Sequence, residues 1–376
     1  MLMGRALSSR KNNKKFMLLS AIGIVMVVDA HSWGALDLFT SFIPYNSFFM
    51  PMFVFISGYF NKVDSDTSLW EYGKRKCKSL LLPYFCISYA AYFIDWILQF
   101  YKLGTAPPLS LTSVLRSVLA AGASGEITEI ASPLWFIPTL FAVQIVYACL
   151  KRVLYKRWNS RILLIAFSLV NIMVVRYAQV MGTTPYTLLV LKVLFFLPFM
   201  ELGAYYRDVW EKKLANANPL ALLLLLLMIN MARIMVLPNP SDIAFNNLSR
   251  LAGFTSPYPT TPLISYLVGI LFWLEVVELV GPSLYENRIV NYISENTLFI
   301  MGFHILFFNL LNCVLLAIHR CHPLPEFSVS AFQETAWYRW EHFRQFRLAY
   351  FSVGLLGSLA LKQAYDRIIK KRFTNC

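Results

Sequence analysis

About ten times along the 376 residues, a run of some twenty apolar residues recurs, bounded by short bursts of charge. A helix rises about 1.5 Å per residue, so each run is long enough to cross roughly 30 Å of hydrocarbon. The runs lie near residues 16–33, 39–60, 80–101, 134–150, 162–175, 188–206, 220–236, 263–280, 290–318 and 346–361. A soluble chain of this length would still need a polar surface. Here only 14% of residues are charged while 57% are hydrophobic, against roughly a quarter charged in ordinary soluble domains. The expected fold is all-α: a polytopic integral membrane protein of about ten transmembrane helices, folded as one membrane-embedded domain over residues 1–376.

The charges set an orientation. Placing the basic segment 1–15 in the cytoplasm puts Lys62, Lys74, Arg75, Lys76 and Lys78 in the next cytoplasmic loop. Lys151, Arg152, Lys156, Arg157 and Arg161 then fall together, as do Arg207, Lys212 and Lys213, then Arg288, and finally the basic tail 362–376. About 24 of the 34 lysines and arginines lie inside, as the positive-inside rule asks, with both termini cytoplasmic. The net charge of +14 is therefore topological. Nucleic acid binding would need a basic face on a soluble domain, and no such domain is present. The first run has the charged start and apolar stretch of a signal peptide but no small-x-small cleavage site, so it reads as an uncleaved span. Six scattered cysteines (Cys77, Cys86, Cys149, Cys313, Cys321 and Cys376) have neither metal-ligand nor disulfide-framework spacing. Cys321, in an expected external loop, reads as a free thiol. Three external segments are long, at residues 102–133, 238–262 and 319–345, and carry Phe254, Tyr258, Trp337, Tyr338 and Trp340. They either cap a cavity or vary freely.

Ionisable groups inside a span are costly and usually face a cavity or a partner. His31 closes the first run, and an imidazole can take a proton from a hydroxyl near neutral pH. Position alone fits an interfacial histidine bonded to a neighbouring helix at least as well. Asp29 is about 200° round the helix from His31, so the two form no dyad and Asp29 is expected to pair with another span. His304 lies mid-span, where a buried hydrogen bond and a functional role are both open. Glu201, Glu275 and Glu278 are intramembrane or nearly so, with Lys192, Arg176 and Arg233 as possible partners. Ser57 and Gly58 suit close helix packing. Trp135 suits an aromatic belt. The cluster Lys74-Arg75-Lys76-Cys77-Lys78 suits either anionic lipid or the phosphates of a nucleotide-type donor.

In this order the segments carry more than they do singly. Ala21 to Ser32 with His31 is followed by Phe53-Val54-Phe55-Ile56-Ser57-Gly58-Tyr59, the basic loop with Leu82-Pro83-Tyr84, and Pro133-Leu134-Trp135-Phe136-Ile137. Glu201-Leu202-Gly203-Ala204-Tyr205 and the span from Leu298 to His304 come later. Over nearly its whole length the chain resembles the bacterial membrane-bound acyltransferase family 3, especially its fucose 4-O-acetylase-like branch. The resemblance implies O-acylation, usually acetylation, of a surface polysaccharide or lipid-linked sugar, by a multi-pass protein of the cytoplasmic (inner) membrane. No cofactor is implied; acetyl-CoA would be the donor substrate, and acyl-CoA, a carbohydrate acceptor and membrane lipid the partners. It makes His31 the catalytic histidine and assigns donor binding to Arg75 and Lys78, with Lys replacing the second arginine of an Arg-x-x-Arg element. Asp29, Ser57, Trp135, Glu201 and His304 remain possible site-lining residues, and no metal is expected. The family usually has Arg or Lys eleven positions before its histidine, where this chain has Ser20; Lys14 and Lys15 lie more than a turn away. The competing class is a transporter or flippase for a lipid-linked saccharide, and a third reading is a degenerate member acting in assembly or regulation.

Overall fold

In hydrocarbon every backbone N–H and C=O has to be satisfied within the chain, so long apolar runs become helices. The computed structural model describes residues 14–61, 68–101, 103, 110, 112–116, 118, 124–214 and 216–374. The basic segment before residue 14, Lys62, part of the expected external segment 102–133 and Cys376 lie outside the described residues. The helices are α1 (Lys14–His31), α2 (Phe49–Phe60), α3 (Leu69–Phe100), α4 (Glu129–Leu154), α5 (Ser160–Met181) and α6 (Pro185–Leu214). They continue as α7 (Pro219–Val236), α8 (Thr261–Leu284), α9 (Arg288–Glu295), α10 (Thr297–Cys321), α11 (Val329–Glu334) and α12 (Gln345–Thr374).

Among the described residues seven helices, α3 to α8 and α10, are long and apolar enough to cross a membrane. Each coincides with an expected run. The protein is thus an all-α polytopic membrane protein. In the expected run at 39–60 the α-helix covers only the 12 residues of α2, about 18 Å of rise, preceded by a single 3-10 turn at Tyr45–Ser47. Pro44 accounts for the lost half: it lacks an N–H, and it drives the preceding residue out of the helical region. Polar caps set the other boundaries. Asn159 accepts from Ile162 N at the start of α5, Thr184 from Thr187 N at α6, and Asn218 from Leu220 N at α7, each satisfying an orphan N–H of a first turn.

The described chain forms two compact units. The first falls within residues 14–23, 39–81 and 136–291. Its closest helix crossing joins α2 to α6. A Cβ on Gly58 would lie 2.0 Å from the Met200 carbonyl oxygen, and one on Gly203 would lie 2.1 Å from that of Phe55. Only hydrogen fits at either position, the close approach small residues permit between membrane helices. Ser57 beside this crossing accepts a hydrogen bond from Gln144 Nε2 at 2.9 Å. Helix α7, by contrast, exposes Leu224, Met228, Met235 and Val236, the apolar outer surface of a lipid-facing helix.

The charges expected inside the spans of this unit find partners other than those expected. Glu201 is fully buried and accepts from Tyr147 Oη at 2.8 Å, Tyr155 Oη at 2.6 Å and the Ser160 hydroxyl. Three hydroxyls replace the anticipated cation. Arg233 donates to the Phe42 carbonyl at 2.6 Å and to Asn230 Oδ1 at 3.0 Å, and Arg176 donates to Gln179 Oε1 at 3.2 Å. Glu278 pairs with Lys15, which also donates to Tyr206 Oη at 2.9 Å.

The second unit falls within residues 24–38, 82–135 and 292–376. Helix α10 is its axis. A Cβ on Gly302 would meet Ile87 Cγ2 at 2.4 Å, while Gly354 and Gly357 of α12 lie against Phe308 and Phe307. Trp135 is 9% exposed, so it is packed inside this unit rather than standing in an interfacial belt. Gly125, with φ of 84°, brings its backbone against the Trp135 carbonyl, where a Cβ would clash at 2.4 Å. Only glycine reaches that conformation without strain.

Candidate active site

Helix α1 ends at His31 because the chain turns sharply after it. Trp33 and Gly34 have φ of 67° and 70°, and Gly34 N donates to the Asp29 carbonyl at 2.9 Å. The Asp29 carboxylate holds the turn from its other side, accepting from Leu36 N at 2.8 Å and Asp37 N at 3.3 Å. Asp29 therefore bonds its own following turn, not another span as its sequence position suggested. An acceptor two residues before the helix end satisfies N–H groups that the turn leaves free. This fixes the backbone that carries His31.

His31 meets His304. The His31 Nδ1 to His304 Nε2 distance is 2.8 Å, and the two ring planes lie within 2° of each other. His304 is fully buried, and its Nδ1 lies 2.9 Å from the Ile300 carbonyl oxygen one turn back on α10. These contacts settle where the protons sit in the neutral pair. A carbonyl oxygen only accepts, so His304 Nδ1 carries the hydrogen and its Nε2 holds a lone pair. His31 Nδ1 must then donate, which leaves His31 Nε2 as the free lone pair. Among the described residues nothing hydrogen-bonds to that nitrogen, and His31 stays partly exposed whereas His304 does not. His304 thus fixes the tautomer and the orientation of the His31 ring.

The segment 335–340 closes over the pair. The Trp337 ring stands edge-on to His31, with centroids 5.1 Å apart and planes at 74°. Four polar side chains pin the segment. Glu129 accepts from Ala336 N at 2.9 Å and Thr335 Oγ1 at 3.0 Å. Asn309 Nδ2 donates to the Ala336 carbonyl and Asn312 Nδ2 to the Tyr338 carbonyl, each at 2.9 Å. Tyr350, whose hydroxyl donates to Asn312 Oδ1, accepts from Trp340 N at 2.9 Å. Such satisfied networks hold irregular backbone in one conformation. Between these bonds sits Arg339, 7% exposed, its Cζ 4.3 Å from the centroid of Phe308. Burial pushes its guanidinium down to about 9, so it stays charged at neutral pH.

The structure thus brings His31, His304 and Asn309 together with Trp337 and Arg339 of the third expected external loop. Trp135 belongs to the same unit. Ser57, Glu201, Arg75 and Lys78 lie in the other. Arg75 and Lys78 are exposed at the junction of α3's first turns. They are three residues apart, where helical neighbours share a face. Ser20 is spent locally, its hydroxyl donating to the Phe16 carbonyl at 2.8 Å. Among the described residues no three His, Cys, Asp or Glu side chains converge as metal ligands. Sequence reasoning missed Asn309, Asn312 and Arg339. Asn309 and Asn312 could have been found as amides three apart in an apolar span, where each needs a partner; Arg339 offered only the signal of a cation among aromatics.

Residues 16–362 match the family described as an acyltransferase domain. No curated protein and no solved structure matches the chain.

Proposed function

We propose that this chain, which belongs to membrane acyltransferase family 3, moves an acyl group from acyl-CoA to a hydroxyl of a surface or lipid-linked carbohydrate in the cytoplasmic membrane. The observation that carries the reading is the free Nε2 of His31, held in that tautomer by His304. In the proposed step a sugar hydroxyl donates to this nitrogen. As the His31 ring takes the proton, the oxygen attacks the thioester carbonyl and forms the C–O bond. The tetrahedral oxyanion then collapses, the C–S bond breaks, and the proton on His31 passes to the departing thiolate. The His31 Nδ1–H stays bonded to His304 Nε2 throughout, so the imidazolium forms without reorientation. The transport reading draws no support from the family match, whose description names acyl transfer.

Donor binding is assigned to Arg75 and Lys78, whose exposed cations suit the phosphates of coenzyme A. Replacing both by Ala is expected to raise the KM for acetyl-CoA about tenfold or more while leaving kcat within a fewfold, since charge-assisted hydrogen bonds contribute about 1.5–3 kcal/mol each. Steady-state kinetics with varied acetyl-CoA reads this, and an unchanged KM would remove the two residues from the donor site. The reading as a whole is tested by mass spectrometry of surface glycans from cells with and without the chain. O-acyl groups present only with the chain are the expected outcome; identical glycans would end the proposal.

A further inference from the structure

Arg339 has features that its place in the loop does not require. Its Nη1 donates to the Ala336 carbonyl at 3.0 Å and the Tyr338 carbonyl at 2.6 Å, which is enough to staple the segment. Its Nε and Nη2 are buried with no hydrogen-bond partner. These two atoms form one edge of the guanidinium, the side that grips a carboxylate or phosphate with two parallel hydrogen bonds. A buried cation with an open fork is costly unless something fills it.

The neighbouring acids do not fill it. Glu341 pairs with Arg347 at 3.4 Å, Glu326 with His342 at 3.2 Å, and Glu129 holds the backbone of Thr335 and Ala336. The rings around Arg339 are Phe308, Trp337 and Tyr350, at 4.3, 6.0 and 5.6 Å from its Cζ. Rings near a guanidinium can stabilise the cation, but they accept nothing from Nε and Nη2, which stay buried and unpaired. Arg339 is also close enough for its charge to act on both His31 and His304. Trp337 touches His31 and Arg339 alike.

We infer that Arg339 is a specificity-determining residue that grips a two-oxygen anion on the acceptor, a sugar carboxylate or a phosphate ester, and so aims a hydroxyl of that acceptor at His31. The inference rests on the acyl-transfer reading for the place of the hydroxyl, but the anion site can be tested without turnover. The anion comes from one of two sources: the carboxylate of an acidic sugar, or the phosphate that links a sugar to its lipid.

The test uses the full-length protein in detergent and three synthetic ligands: octyl glucoside, octyl glucuronide, and an octyl phosphate ester of glucose. Titration calorimetry on wild type, Arg339→Lys and Arg339→Gln reads affinity. Transfer from radiolabelled acetyl-CoA is measured on the same samples. At least one anionic ligand is expected to bind wild type tenfold or more tightly than the neutral glucoside, and which one identifies the source. Arg339→Gln should bring that ratio to about one. Arg339→Lys, which keeps the charge without the fork, should lose most of it. A purely structural arginine would lower all three affinities together and leave the ratio unmoved. Equal binding of all three ligands by wild type, or a ratio unchanged in Arg339→Gln, overturns the inference. Anion-selective binding without acetyl transfer would instead overturn the acyl-transfer reading and leave the anion site standing.

Discussion

Replacing His31 with Ala is expected to lower kcat by about 10²–10⁴-fold, the range a positioned general base contributes, with the protein still folded and inserted. Folding should survive because His31 is the last residue of α1 and partly exposed. Its removal leaves His304 Nε2 an unused acceptor but creates no buried charge. The turn that ends the helix is held by Asp29 and Gly34 rather than by the imidazole. Gln at position 31 should fare no better, since an amide cannot take up a proton near neutral pH. Rates at equal protein level, alongside thermal unfolding, separate this from misfolding. A folded His31→Ala protein with wild-type kcat would remove His31 as the base.

The second large effect is expected at His304, which touches no substrate in this account and acts through His31. With Leu in its place His31 Nδ1–H loses its acceptor, and the ring is free to turn or to carry its proton on Nε2. In the Ser-His-Asp triad, losing the group that fixes the histidine tautomer costs about 10⁴ in kcat. A neutral imidazole acceptor orients less strongly than a carboxylate, so a loss of about 10²–10³-fold in kcat is expected here, with KM for both substrates little changed. His304→Gln restores an acceptor through its amide oxygen and should recover part of that loss. Equal activity in the Leu and Gln variants would contradict the orienting role, as would a loss confined to KM.

The fold was legible because a bilayer imposes a length. Each of the seven spanning helices sits on an expected apolar run, and the small residue Gly58 marked a close approach whose partner, Gly203, the sequence did not name. The run at 39–60 misled because hydropathy counts Pro44 as tolerable, although its backbone cannot continue a helix. Within the site, His31 and His304 were each visible as expensive intramembrane residues. Their pairing was not, since 273 positions separate them and no local period reports a contact between helices. Asp29 was misjudged because a carboxylate near a helix end suggests an ion pair, whereas the turn after α1 offered it backbone N–H groups closer at hand. Arg339 was hidden for a different reason. Its segment has no periodicity, and its place follows from Glu129, Asn309 and Asn312 converging on three peptide units between residues 335 and 339. Ser20, where the resemblance leads one to expect a cation, bonds its own helix, and Lys15 is committed to Glu278 and Tyr206. The cation whose charge reaches His31 is Arg339, which comes from a loop.

The central claim is that this protein is a transferase whose base is His31, and the most direct measurement follows both halves of the reaction at once. Purified wild-type and His31→Ala proteins in detergent are given radiolabelled acetyl-CoA and a carbohydrate acceptor, and free coenzyme A thiol and labelled acceptor are counted together. The account predicts that wild type releases one thiol for each acetyl ester formed, and that His31→Ala does neither above background. Thiol release and ester formation at the same rate in both proteins would contradict it, as would a wild type that transfers nothing yet carries the acceptor across a liposome membrane.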